Sequence, residues 1–125
     1  MIEKPRILVV DDESTNLKVI QTVLADEYRL AFAKSGQAAL EVIQQNPPNL
    51  ILLDVMMPGM SGIDVCRALK ADAATQHIPV IFVTALNDDD DEYNGFSVGA
   101  VDYITKPITP ALVRARVKTH LSMVQ

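Results

Sequence analysis

Ile7-Leu8-Val9-Val10-Asp11-Asp12 sets four consecutive apolar residues directly before two carboxylates. Two further runs of four apolar residues each end on a polar one: Leu50-Ile51-Leu52-Leu53 runs into Asp54, and Val80-Ile81-Phe82-Val83 runs into Thr84. None of the three runs alternates with polar residues. Short unbroken runs rich in Val, Ile and Leu suit strands buried on both faces, as in a parallel sheet covered by helices. Weaker strand signals lie at Tyr28 to Phe32 and Val101 to Ile104.

Helical spacing fills the gaps. Ser14 is placed to cap a helix whose Leu17, Ile20, Val23 and Leu24 share one face. Gly36 precedes a helix carrying Ala39, Leu40 and Ile43, stopped by Pro47-Pro48. Ser61-Gly62 opens a third helix with Ile63, Val65, Cys66 and Leu69. Asn87 caps a fourth through Tyr93 and Phe96, ended by Gly99. The last begins near Thr109, with Pro110 in its tolerant first turn. Strand and helix thus alternate five times, which predicts an α/β fold with a single parallel sheet. Right-handed crossovers favour the doubly wound, flavodoxin-like strand order 2-1-3-4-5. The 125 residues are about half of what a (β/α)8 barrel needs.

Bulk properties narrow the function. Nearly half the residues are apolar (49%), so the chain can fill one core. The net charge is −5, and the longest charge run, Asp88 to Glu92, is acidic. Neither favours direct binding of nucleic acid, whose phosphates call for clustered Lys and Arg. The single cysteine, Cys66, has no internal disulfide partner and fits a reducing compartment. No apolar run approaches the ~18–20 residues of a membrane span, and no signal peptide is evident. The expectation is one soluble, cytoplasmic domain spanning residues 1–125.

The polar residues after each strand carry the chemistry. Strand one ends at Asp11-Asp12, strand three at Asp54 and strand four at Thr84, and strand five is followed by Lys106-Pro107. In a doubly wound sheet these positions share the edge outside the carboxyl ends of the strands. Strand two, ending near Ala33-Lys34, contributes little to that edge. Taken singly, Asp11-Asp12 reads as helix capping, Asp54 before Met57-Pro58-Gly59 as turn chemistry, and Lys106 as a surface lysine. Taken together, they predict a shallow site of three carboxylates, a hydroxyl and an ammonium. Carboxylates so close repel, so at least one stays protonated unless a cation neutralises them, and oxygen-only ligands suggest a hard one, Mg2+ first. A lone lysine beside them suits a phosphoryl group. One carboxylate would then be the nucleophile, with Asp54 the most central.

These motifs resemble the receiver (CheY-like) domains of two-component response regulators over essentially the whole chain. The resemblance rests on Ile7 to Asp12, Leu52-Leu53-Asp54-Val55-Met56-Met57-Pro58-Gly59-Met60-Ser61-Gly62, Val83-Thr84-Ala85 and Gly99-Ala100-Val101-Asp102-Tyr103-Ile104-Thr105-Lys106-Pro107. Asn49 and Ser61 stand where such domains often carry Asp. The resemblance implies that Asp54 accepts a phosphoryl group from a phosphohistidine on a sensor histidine kinase or phosphotransfer protein. It implies Mg2+ (or Mn2+) on Asp12, Asp54 and the Met56 backbone carbonyl, with Asp11 acting mostly through water. Thr84, the Ala85 backbone and Lys106 would bind the phosphoryl group, and the small Ala85 side chain would leave room for it. Thr84 and Tyr103 would act as the switch, and the Lys106-Pro107 peptide would be cis.

The expected output is a changed surface formed by the fourth predicted helix, the fifth strand and the last helix. That surface would act on an output domain or effector. Asp88 to Glu92 and basic Arg114, Arg116 and Lys118 could pair in a phosphorylation-dependent homodimer, or simply be solvated helix faces. Arg114-Ala115-Arg116-Val117-Lys118-Thr119-His120-Leu121 resembles receivers that precede cyclic-dinucleotide enzymes or sit in hybrid kinases. Met56, Met57 and Met60 are expected as loop and core fillers, His77 and His120 as surface residues, and Cys66 as packing. Three rivals share parts of the pattern. An FMN carrier would need a Ser/Thr/Gly-rich phosphate loop where Asp11-Asp12-Glu13 stands. A haloacid-dehalogenase-like phosphatase would carry a second Asp at the position of Met56. A purely structural interaction domain would give no Mg2+-dependent response to a phosphoryl mimic. The chain is therefore expected to be a signalling switch rather than an enzyme with a separate substrate.

Overall fold

The computed structural model describes residues 4–85 and 98–122. The helix expected from Asn87 through Tyr93 and Phe96, with its acidic run Asp88 to Glu92, lies outside them. The strands are β1 (Arg6–Val10), β2 (Arg29–Ala33), β3 (Leu50–Leu53), β4 (Val80–Thr84) and β5 (Asp102–Thr105). The helices are α1 (Ser14–Leu24), α2 (Gly36–Gln45), α3 (Gly62–Lys70) and α4 (Pro110–Ser122). All strand pairs are parallel and the order is β2-β1-β3-β4-β5, the CheY-like arrangement. The two weaker strands sit one residue later than the sequence suggests, at Arg29 and Asp102 rather than Tyr28 and Val101.

The unbroken apolar runs serve two cores at once, because successive strand side chains point to opposite faces. Leu8, Val10, Ile51, Leu53, Val80 and Phe82 pack on one side with Ala39 and Ile43 of α2 and Val65 and Leu69 of α3. Ile7, Val9, Leu50, Leu52, Ile81, Val83 and Ile104 face the other way, against Leu17 and Ile20 of α1 and Val113 and Val117 of α4. Each such Val, Leu or Ile stabilises the fold by about 1.5–3 kcal/mol relative to exposure. Helix α4 is held by a narrow stripe, since Val113 and Val117 are its only buried residues.

Helix starts differ from one another. Ser61 caps α3 in a reciprocal capping box: its side chain accepts from the Asp64 amide and the Asp64 carboxylate accepts from the Ser61 amide. Ser35 caps α2 through the Ala38 amide. Ser14 is no cap. It is the first residue of α1, whose N-cap position is Glu13 with no side-chain cap bond.

Gly62 is placed where only a bare α-carbon fits. A Cβ there would lie 2.1 Å from the Asp54 carbonyl oxygen and 2.9 Å from the Val55 α-carbon, both backbone atoms. The Gly62 amide also donates to the Val55 carbonyl at 2.9 Å, so α3 starts pressed against the end of β3. At Gly36 the nearest atoms belong to the Met60 and Val65 side chains, which can move. Gly62→Ala is therefore expected to cost about 1–3 kcal/mol or more by overpacking against backbone, and Gly36→Ala clearly less. Urea unfolding of the two variants checks the order.

Candidate functional site

The ladder itself assembles the site. Val10 is the register partner of Leu53, and the Asp54 amide donates to the Val10 carbonyl at 2.9 Å. Asp11 and Asp54, the next residues on each strand, therefore emerge side by side. Thr84 pairs with Thr105, and the Lys106 amide donates to the Thr84 carbonyl at 2.8 Å. Lys106 thus leaves the same edge, and the peptide that follows it, Lys106-Pro107, is cis. Strand β2 contributes more than its side chains suggest, because the Ala33 carbonyl accepts from the Asp11 amide at 3.1 Å.

One carboxylate oxygen from each of Asp11, Asp12 and Asp54 lies within 4.8 Å of the others. Asp11 and Asp54 are almost fully buried, at 2% and 3% exposure, and Asp12 is the most open of the three. Asp11 Oδ1 accepts from the Glu13 amide at 2.9 Å, a loop bond rather than a helix cap. Asp54 Oδ1 accepts a longer bond, 3.3 Å, from the Met56 amide. Lys106 Nζ sits 3.1 Å from Asp11 Oδ2 and 3.4 Å from Asp54 Oδ2. The contact with Asp11 is ionic by distance but lacks hydrogen-bond alignment, so the buried Asp11 Oδ2 has no hydrogen-bond partner among the described residues.

The electrostatics follow from that crowding. Burial, and next the Asp11 carboxylate, push the Asp54 carboxyl up to about 6, while Lys106 and the Met56 amide pull the other way. Burial alone would lower the Lys106 ammonium, but Asp11 and Asp54 outweigh it and hold it above the ordinary lysine value. Three acids face one ammonium, and a hydrogen-bonding position on Asp11 Oδ2 stays unused. The donor set is all oxygen, so the triad fits a divalent metal site of hard-cation type.

The other residues singled out from the sequence fall around this pocket. Thr84 is buried at the end of β4, and Ala85 is exposed just beyond it. Tyr103 is half-buried and packs on the core shared with α2 and α3. Cys66 is buried and His77 exposed. Met57 is buried in the core and Met56 lies in the loop after β3, 62% exposed, with its amide turned to the Asp54 carboxylate. One expectation needs correction. His120 is not a plain surface residue: only 14% of its side chain is exposed and Nε2 lies 2.9 Å from Asp102 Oδ2. Gly62, which fixes the backbone of Asp54, escaped the sequence reading as a site residue. Its signal was a glycine, a poor helix former, at the first position of a well-capped helix.

The raised Asp54 carboxyl makes a stability prediction. Its folded value of about 6 exceeds the ordinary 3.8, so its favourable contribution is complete below about pH 4 and is lost as pH rises through 6. In metal-free protein at pH 8, Asp54→Asn should be more stable than wild type by about 1–3 kcal/mol. The gap should close towards pH 4, and a divalent cation should narrow it at pH 8. Urea titrations at the two pH values, with and without the cation, measure it.

Comparison with known proteins agrees with this geometry. The family described as "Response regulator receiver domain" matches residues 7–118. The response regulator PleD of Caulobacter vibrioides is 46% identical over 115 residues, covering 91% of this chain and 25% of that protein. A Vibrio cholerae protein named "Probable cyclic di-GMP phosphodiesterase" is 47% identical over 115 residues, covering 92% of this chain and 26% of that protein. The chain thus spans about a quarter of the length of these relatives. A CheY-like receiver domain structure from Methanospirillum hungatei superposes with a TM-score of 0.91 at 25% identity, covering 98% of this chain and 97% of that one. Parallel sheet order, acidic triad and family match converge: the chain belongs to the response regulator receiver domain family of two-component signalling.

Proposed function

We propose that Asp54 is the phosphoacceptor of a phosphorelay, charged by a phosphohistidine on a sensor histidine kinase or phosphotransfer protein. The observation that carries this is the Lys106 ammonium set between two buried carboxylates, 3.1 and 3.4 Å away, with a third acid alongside. Such a pocket suits a transferring phosphoryl group, which asks mainly for positioning and neutralisation. Asp11, Asp12, Asp54 and the Met56 backbone carbonyl hold Mg2+ (or Mn2+), which when bound offsets the negative charge of the acids and of the incoming phosphoryl oxygens.

Asp54 supplies the attacking oxygen. Its bond to phosphorus forms as the N–P bond of the donor breaks, and the leaving imidazole keeps the electron pair. Lys106, the Thr84 hydroxyl and the Ala85 backbone receive the phosphoryl oxygens. Thr84 and Tyr103 then carry the response as a population shift to a surface that includes β5 and α4. Receiver domains are typically signalling switches. This one, taken as residues 1–125, acts in the cytoplasm, catalyses only its own phosphorylation and dephosphorylation, and controls an output domain or effector. A second copy, paired through the acidic run Asp88 to Glu92 and Arg114, Arg116 and Lys118, is one form that output takes. No helix among the described residues is long and apolar enough to cross a membrane.

Intact-mass analysis after incubation with a small phosphodonor and Mg2+ should show one added phosphoryl group. The addition should disappear in Asp54→Asn and when the divalent cation is chelated. Full labelling of Asp54→Asn would overturn the assignment.

A further inference from the structure

Helix α3 grips the chain where it enters β5. Lys70, the last residue of α3, donates from its ammonium to two backbone carbonyls of the α3–β4 loop, Gln76 at 2.9 Å and Ile78 at 2.7 Å. Its stem crosses Gly99 so closely that a Cβ there would lie 2.8 Å from Lys70 Cγ and 3.3 Å from Cδ. Gly99 also has φ +104°, where a side chain would be strained. One turn earlier on α3, the buried Cys66 thiol donates to the Val98 carbonyl at 3.6 Å. Burial pushes that thiol up, so it stays protonated as a donor. Ala100 is buried in the α2/α3 core, and the Val101 amide donates to the Val80 carbonyl at 2.9 Å. Residues 98–101 are therefore each tied to α3, its core or β4. All strands run parallel, so this entrance lies at the sheet edge opposite the acidic pocket.

We propose that Lys70 is a strap that makes residues 98–101 the stationary end of β5, so that the strand responds by a swing of Asp102 to Lys106 about that end. An ammonium suits the task. It is a cation at the carboxyl end of a helix, where the dipole favours it. Carbonyl bonds to a charged donor are also stronger than neutral ones, and here they hold a flexible four-carbon stem in one place across Gly99. The loop that supplies those carbonyls is itself fixed. The Thr75 hydroxyl donates to the Leu69 carbonyl at 2.7 Å, and the Ile51 amide donates to the Pro79 carbonyl at 3.0 Å. The strap thus runs from the end of α3 to an anchored loop, with the entrance of β5 beneath it. That the strand moves rests on the switch role proposed for Tyr103; the strap itself does not.

Amide hydrogen exchange and amide NMR on the full chain test it. Lys70→Ala removes stem and ammonium, and Lys70→Met keeps an apolar stem without the carbonyl bonds. In Lys70→Ala the Val101 amide should exchange about ten-fold faster, while the Asp54 amide of the interior β1–β3 ladder changes by less than about two-fold. Equal acceleration at both amides makes Lys70 a contributor to overall stability alone and overturns the strap. Lys70→Met should fall between wild type and Lys70→Ala; a Val101 amide as protected as in wild type overturns the part given to the ammonium. Beryllofluoride, a phosphoryl mimic, added with Mg2+ then asks which end of β5 moves. In wild type the amide resonances of Tyr103 to Lys106 should shift and those of Gly99 to Val101 stay in place, and in Lys70→Ala the shifts should spread to Gly99 through Val101. Shifts at Gly99 to Val101 already as large in wild type overturn the stationary end. An absence of any response to beryllofluoride speaks against the Asp54 reading instead, since the exchange pattern of the Lys70 variants is measured without it and supports or overturns the strap by itself.

Discussion

Everything at the functional edge depends on three carboxylates being forced together with one ammonium between them. Their oxygens lie within 4.8 Å, and the Asp11 carboxylate adds to burial in opposing the ionisation of Asp54. Lys106 offsets part of this. The rest stays in the fold as an Asp54 carboxyl that resists ionisation and an Asp11 oxygen without a hydrogen bond. A site in this condition fits a hard divalent cation, whose charge would relieve what the backbone will not let separate.

The backbone can impose this because the strands beneath are buried on both faces. Val10 and Leu53, the residues before Asp11 and Asp54, pack into the α2/α3 core, and Val9 and Leu52 into the α1/α4 core. Splaying the two acids apart would break both cores and the Asp54–Val10 ladder bond at once. The start of α3 adds a stop from above, since Gly62 touches the Asp54 carbonyl so closely that no side chain fits between them. Stability drawn from about 1.5–3 kcal/mol per buried aliphatic residue is what holds an unfavourable charge arrangement in place.

Much of this was legible in the sequence, for a definable reason. Continuous apolar runs mark parallel strands, and the chirality rules then send Asp11, Asp12, Asp54, Thr84 and Lys106 to one edge without any knowledge of side-chain contacts. What stayed hidden depends on three-dimensional detail that periodicity does not encode. Ser14 looked like a cap, but whether a serine caps depends on its own backbone angles, and here the extended residue is Glu13. His120 looked unpartnered because Asp102 lies 18 residues away and meets it only once α4 folds back on β5.

Strand β5 shows how one short element can serve both layers. Its four residues alternate, so Asp102 and Ile104 face α4 while Tyr103 packs on the α2/α3 side. Lys106 follows directly and reaches the acidic pocket. A shift of this strand along or across the sheet therefore cannot stay local: it moves the ammonium, the tyrosine and the helix anchor together. The strand is well placed to carry such a shift, because it is bonded to a neighbour on one side only, through β4. The interior strands are locked by two neighbours and two cores, and they position the chemistry. Among the described strands, β5 lacks one of those two neighbours.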